Sequence, residues 1–261
     1  MSHQTIDLQI DERGVAYLHM ARAEKHNALS ARMLDELTDA ACDLDGRAEV
    51  RAVVLGGRGA SFCAGADLGW MRGNLARGRE ERIAESRRFS KLLRAFDGIS
   101  KLLVARVHGP AYAGGAGLVA VCDIAIGARE ARFSLTETRL GLAPANIAPA
   151  IIARIGAHNA RRCMLNAHFF NGDEAAALGL LDKSVPANEL DAAVESEIAE
   201  LLQCAPGAVA TSKQLIKRVA ANQADEDACA ELLAEIWERE EAKEGIAAFF
   251  EKRPAKWMRG K

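Results

Sequence analysis

Short apolar runs that stop at glycines recur through the first half of the chain. They restrict it to folds in which strands hand over directly to turns and helices. Residues 50–55 end at Gly56-Gly57-Arg58-Gly59, and residues 102–107 end at Gly109-Pro110. Runs of this length bounded by glycine read as strands. Residues 6–10 and 15–20 flank Asp11-Glu12-Arg13-Gly14 and read as a hairpin, and 123–127 and 131–135 read as two further strands. Between them, Ser30 is placed to cap a helix reaching Leu44, with Met33, Leu34, Leu37 and Ala41 on one face. Ile83, Phe89, Leu92, Leu93 and Phe96 have helical spacing within residues 72–100, and the small-residue run 113–120 reads as a tightly packed buried helix. Strands alternating with helices predict α/β layers.

The character changes near residue 147. From there the signals are almost exclusively helical, over 147–155, 158–167, 173–179, 189–203, 206–221 and 226–240, with Pro206 in a first turn. Trp237, Phe249, Phe250 and Trp257 gather near the end of a chain with 5% aromatic residues. Such clustering fits either a subunit interface or ordinary core packing.

With 261 residues and 49% apolar content the chain can bury a large core. A net charge of -2 argues against nucleic acid as a partner. No segment is long and apolar enough to span a bilayer, and residues 1–10 carry Asp7 and no apolar signal core. Cysteines stand at 42, 63, 122, 163, 204 and 229 without a Cys-x-x-Cys pair or zinc spacing, so no metal is expected. A reducing, cytoplasmic setting is expected.

Two junctions carry the chemistry. The first is Arg58-Gly59-Ala60-Ser61-Phe62-Cys63-Ala64-Gly65-Ala66-Asp67-Leu68, where small residues let a ligand approach the backbone and Asp67 can cap the next turn. The second, Val107-His108-Gly109-Pro110-Ala111-Tyr112-Ala113-Gly114-Gly115-Ala116-Gly117, follows a strand and opens a helix, whose first N–H groups carry positive potential. Two such turns on neighbouring strands can aim two donors at one oxygen, the geometry of an oxyanion hole. Neither junction has the dinucleotide fingerprint or a phosphate loop, and there is no nucleophile elbow.

In their order, these junctions together with Lys25-His26-Asn27-Ala28-Leu29, Cys122-Asp123-Ile124, Phe133, Glu137, Leu140-Gly141-Leu142-Ala143-Pro144 and Ala175-Ala176-Ala177-Leu178-Gly179-Leu180-Leu181-Asp182 resemble the crotonase (enoyl-CoA hydratase/isomerase) family over essentially the whole chain. The resemblance implies an α/β fold: a ββα spiral core over residues 1–200, followed by a helical region over 201–261 that mediates trimer or hexamer formation and completes the CoA site. It implies a coenzyme A thioester as substrate, with no permanently bound cofactor. It assigns the backbone N–H groups of Ala66 and Gly114 to the thioester oxygen. Ala64, Asp67, Leu68 and Gly69 are assigned to the CoA channel, and Lys25, with Lys252 or a nearby basic residue from a neighbouring subunit, to CoA phosphates. A solvated surface role is the alternative for each lysine.

Typical family hydratases place two glutamates around one water. Here the first of these positions is Gly117 and the second is Glu137. Glu137 reads either as a helix N-terminal charge or, within the family pattern, as the proton carrier. A lone glutamate suits two reactions. One is hydration of a 2-enoyl-CoA, with space beside Gly117 for a branched or carboxylated acyl group, as in the methylglutaconyl-CoA and isohexenylglutaconyl-CoA hydratase branch that the local text resembles. The other is Δ3,Δ2-enoyl-CoA isomerisation. A noncatalytic acyl-CoA- or RNA-binding homologue is the reading from another class. Tyr112 is read as lining the acyl pocket or as core, and Asn146 as reaching the pocket or capping the following helix. His108 is read as structural, and Cys63 as packing.

Overall fold

The computed structural model describes residues 3–258. Met1 and Ser2 of the opening segment, and residues 259–261 of the expected C-terminal region, lie outside them. Strand β1 (Ile6–Ile10) turns back into β2 (Val15–Met20) through Asp11, whose carboxylate accepts from the N–H groups of Arg13 and Val15. After β2 the pairing becomes parallel. β3 (Ala52–Gly57) joins β2, β4 (Leu102–Val107) joins β3, β6 (Ile124–Ala128) joins β4, and β9 (Lys183–Val185) joins β6. Among the described residues the large sheet therefore runs β1-β2-β3-β4-β6-β9. All of β3 is buried, as expected of a parallel strand covered on both faces.

A smaller sheet holds β5 (Ala111–Tyr112), β7 (Arg132–Ser134) and β8 (Phe170–Asn171). Two bends after large-sheet strands deliver the chain to the small sheet: β4 leads into β5 across 108–110, and β6 into β7 across 129–131. A helix follows and returns the chain for the next turn, which is the expected ββα spiral with a helical C-terminal region.

Helix α1 (Ala31–Gly46) starts as expected, with the Ser30 hydroxyl accepting from Met33 N–H. The charged stretch 72–100 resolves into α2 (Leu68–Ala76) and α3 (Arg79–Gly98), whose Phe89, Leu92, Leu93 and Phe96 are buried. The small-residue run forms α4 (Gly114–Ala120), buried along its whole length. The two helices expected at 147–155 and 158–167 form one element, α5 (Ala148–Met164), interrupted at Gly156, where φ is 73°. There follow α6 (Gly172–Ala177), α7 (Leu190–Leu201), α8 (Pro206–Ala220), α9 (Glu226–Glu238) and α10 (Glu240–Phe250).

The almost exclusively helical expectation beyond residue 147 leaves out two short strands. β8 and β9 lie there, two and three residues long, too short to show a period and held by their sheet partners. α10 was not anticipated either. Asp123 anchors Lys213 of α8 at 2.6 Å, and Trp257 donates its indole N–H to Gln203 O. Trp237, Phe249 and Phe250 are exposed, so core packing does not account for them. No helix among the described residues is long and apolar enough to cross a membrane.

Candidate active site

The two glycine-rich junctions are stitched to each other. Cys63 N–H donates to Pro110 O at 3.0 Å, and Tyr112 N–H donates to Cys63 O at 2.9 Å. A second rung joins Leu29 N–H to Gly65 O at 2.7 Å and Asp67 N–H to Leu29 O at 3.1 Å. Gly65 makes the fit possible. Its φ of +91° is a left-handed conformation, and a Cβ there would press on Tyr112 O at 3.1 Å and on the Ala113 methyl at 3.2 Å.

Backbone bonds, including Ala64 N–H to His26 O and Ala113 N–H to Ser134 O, use the N–H groups of Cys63, Ala64, Asp67, Tyr112 and Ala113. Ala66 N–H and Gly114 N–H donate to nothing among the described residues. Gly114 opens α4, so its N–H is one of the unpaired donors of a helix start. Ala113, just before it, has φ 47° and ψ -113°, a sparsely populated conformation for a residue with a side chain. Ala113 is held there by donating to Ser134 O at 2.9 Å. The strain sits at the start of α4, where Ala113 and Gly114 line a cavity.

Ala66 and Gly114 line a cavity of about 350 Å³. Its walls are mostly apolar: Leu29, Leu34, Met71, Phe89 and Ile147, with Leu68, Leu140 and Leu142 exposed at its rim. Trp70 faces it with its indole N–H donated to Glu85 at 2.7 Å. The remaining polar side chains on its lining are Thr136, Glu137 and Asn146. Glu137 comes from a 3-10 turn, Thr136–Leu140, directly after β7. Its Oε2 is buried with no hydrogen-bond partner among the described residues. Burial raises the carboxyl above its ordinary range, and its own backbone N–H offsets part of that rise.

The residues expected in the acyl pocket and the adjoining CoA channel divide between this cavity and its surroundings. Asp67 does not line the cavity; it caps α2, accepting from Gly69 at 2.8 Å and Trp70 at 3.2 Å, and pairs with Arg22 at 3.0 Å. Burial alone would raise its carboxyl, but these bonds outweigh that and hold it below the usual range. Gly69 is exposed on α2 away from the lining. Tyr112 is also off the lining, packing edge-on against Phe169 with ring centroids 5.5 Å apart. Lys25 is exposed at the end of a 3-10 turn, apart from the cavity. Ala64 and Leu68 do line it.

The expected free space beside Gly117 is absent. A Cβ on Gly117 would lie 2.3 Å from Ile147 Cγ2, so Ile147 occupies that volume and Ile147, not Gly117, faces the cavity. Asn146 does not cap α5; it faces the cavity, and its Oδ1 accepts from Ser86 Oγ at 2.6 Å. Ile147, Trp70 and Ser86 were missed. Nothing local in the sequence marks them, because loop and helices meet only in three dimensions. The spacing of Phe89 marks it only as helix-face packing.

Cys63 packs: its thiol is buried, donates to Asn27 O, and is pushed up to about 12 by burial. His108 bonds through Nε2 to Gly59 O, away from the cavity. Among the described residues no cluster of three His, Cys, Asp or Glu side chains is placed to hold a metal ion.

A family model described as enoyl-CoA hydratase/isomerase matches residues 11–260. The solved structure of AtuE from Pseudomonas aeruginosa superposes with a TM-score of 0.93 at 37% identity, covering 98% of this chain and 100% of that one. That of an enoyl-CoA hydratase from Shewanella pealeana gives a TM-score of 0.93 at 32% identity, covering 98% and 96%. The short-chain-enoyl-CoA hydratase of Clostridium acetobutylicum is 32% identical over 252 residues, 93% of each chain.

Proposed function

The chain belongs to the enoyl-CoA hydratase/isomerase family, and from that membership we propose that it adds water across the 2,3 double bond of an enoyl-CoA thioester. The family's general chemistry is hydratase/isomerase-type reaction on CoA thioesters. One observation carries the specific reading: Glu137, a half-buried carboxyl with a buried, unpartnered oxygen, lines the same cavity as Ala66 and Gly114, whose N–H groups are free among the described residues.

In this reading the thioester oxygen accepts from both N–H groups. Glu137 takes a proton from water as the water oxygen bonds to C3. The π electrons move through C2, and the negative charge settles on the thioester oxygen, facing its two donors. Glu137, now a carboxylic acid, returns that proton to C2 and is again a carboxylate. H and OH have been added, and one carboxyl serves as base and then as acid. A carboxyl raised by burial suits both roles better than an exposed one.

The lining carries no Lys, Arg or His among the described residues. We therefore favour an apolar acyl chain, straight or branched, over a methylglutaconyl-type acyl group, whose free carboxylate would meet Glu137 without a cation. A second reading has its own support. Glu137 is the sole carboxylate on the lining among the described residues, and a Δ3,Δ2-enoyl-CoA isomerase needs just one, taking a proton from C2 and returning it to C4.

Kinetics on crotonyl-CoA, 3-methylglutaconyl-CoA and a 3-enoyl-CoA separate the readings. Loss of the conjugated thioester absorbance with the first is the expected result. Conversion of the 3-enoyl-CoA with no hydration overturns it in favour of the isomerase. Inertness toward all three leaves the noncatalytic homologue.

For assembly we propose a homotrimer, or a hexamer of two trimers, formed through the exposed aromatic face of α9 and α10. Residues 201–261 would be the assembling region, and Lys25 and a neighbour's Lys252 would meet the CoA phosphates. The unpaired cysteines support a cytoplasmic setting.

A further inference from the structure

The hydration reading leaves one requirement open. A water attacking C3 uses one lone pair for the new bond and gives one hydrogen to Glu137. To be held in line it needs a donor for its other lone pair. The cavity offers few candidates. The Trp70 indole is committed to Glu85, and the Ala66 and Gly114 N–H groups are assigned to the thioester oxygen. Thr136 and Asn146 remain among the lining side chains. Thr136 adjoins Glu137 on one 3-10 turn, and neighbours on a helical turn diverge rather than face each other.

Asn146 stands on a separate loop, between that turn and α5. Its amide is fixed from outside: Ser86, on α3 one turn before the cavity-lining Phe89, donates to its Oδ1 at 2.6 Å. With the oxygen engaged, the amide nitrogen has no partner among the described residues, and it is not among the buried unsatisfied atoms. A pinned amide with a free, accessible NH₂ thus lies on the wall that Glu137 also lines.

We propose that Asn146 is the positioning residue for the attacking water, that Ser86 sets its orientation, and that together they favour hydration over simple proton shuttling. The inference rests on the hydratase reading above. In this arrangement Glu137 and the two backbone donors make the enolate, and Asn146 decides whether water is in line to attack C3.

The test compares wild type with Asn146→Ala, the volume-conserving Asn146→Leu, and Ser86→Ala. Two readouts are taken: hydration of the best 2-enoyl-CoA of the panel, and exchange of the C2 protons of butyryl-CoA in D₂O followed by NMR. Exchange needs Glu137 and the backbone donors but no water addition. Both Asn146 variants should lose roughly 10- to 100-fold in hydration kcat, with KM and C2 exchange within about threefold of wild type. Ser86→Ala should show a smaller loss in the same direction. Unchanged hydration in the Asn146 variants overturns the proposal. So does a parallel fall of hydration and exchange, which marks a merely structural role. Wild type that exchanges but hydrates nothing overturns the hydratase reading itself, and that outcome is visible before any variant is made.

Discussion

Gly117 and Ile147 share one volume: a Cβ built on Gly117 would lie 2.3 Å from Ile147 Cγ2 and 3.0 Å from Ile147 Cβ. The position where typical family hydratases carry a glutamate is thus covered on its cavity side by an isoleucine. Gly117→Ala should cost about 1–3 kcal/mol through overpacking, and Ile147→Ala about 2–5 kcal/mol through the cavity left. In urea unfolding the double variant should cost less than the sum, because each change relieves the other. Strict additivity would separate the two sites. Gly117→Glu alone should gain no hydratase activity.

Glu137→Gln should separate activity from stability. Loss of the acid/base should lower turnover on the order of 10²–10⁴-fold while thioester binding persists. The sign for stability is opposite. A carboxyl raised by burial is more easily protonated in the folded state, so its ionised form at neutral pH works against folding. The glutamine variant should melt at or above the wild-type temperature. In wild type, kcat/KM should rise with pH through an apparent pKa above the usual carboxylate range. A profile rising at an ordinary carboxylate value, or an unchanged rate in the variant, removes Glu137 from the mechanism.

His19 should make the protein sensitive to mild acid. Burial, reinforced by the positive charges of Arg58 and Arg106, pushes it down to about 4, and its Nδ1 is buried without a partner among the described residues. A histidine lowered on folding contributes stability that is complete above its unfolded pKa of about 6.5 and is lost as pH falls toward 4. Urea midpoints should therefore drop across that window, by a free energy on the order of 1–3 kcal/mol. His19→Gln should flatten the slope there; an identical slope would assign it to other groups.

Ala113→Gly should relieve the backbone ahead of Gly114. The φ of 47° and ψ of -113° suit glycine far better than alanine. The relief, about 1–3 kcal/mol, exceeds the extra chain entropy glycine loses on folding. Thermal unfolding should show a variant at least as stable as wild type, with thioester affinity kept. A lower melting temperature would mean that the Ala113 methyl contributes more by packing than its backbone costs.

Charge on the α9–α10 face should break assembly. Phe249 and Phe250 are 79% and 77% exposed, and Phe249→Glu with Phe250→Glu would bury two carboxylates in any interface there. Sedimentation should show trimers or hexamers for wild type and monomers for the double variant. A monomeric wild type removes the assembly proposal.

What was legible in the sequence followed local physics. The hairpin at 6–20, the Ser30 cap and the small-residue helix all report their own conformation through neighbours in the chain. The junction residues were legible too, because freeing a backbone N–H at a strand-to-helix turn takes a recognisable run of small side chains. β8 and β9 were not, since strands of two or three residues exist through their partners rather than their pattern. Asp67 and Tyr112 lie in the right segment but point elsewhere, one capping α2 and the other meeting Phe169. Ile147 was invisible for a different reason. That it fills the volume beside Gly117 depends on two elements thirty residues apart, and glycine at one end of a contact says nothing about who stands at the other.

The rungs joining Cys63 to Pro110 and Tyr112, and Leu29 to Gly65 and Asp67, are anchored on Cys63 and Leu29, both in the buried core. The proposed oxyanion hole is therefore no separate flap that can loosen first. Heating should leave the protein working up to the temperature at which the whole core gives way, so that the inactivation and melting curves coincide.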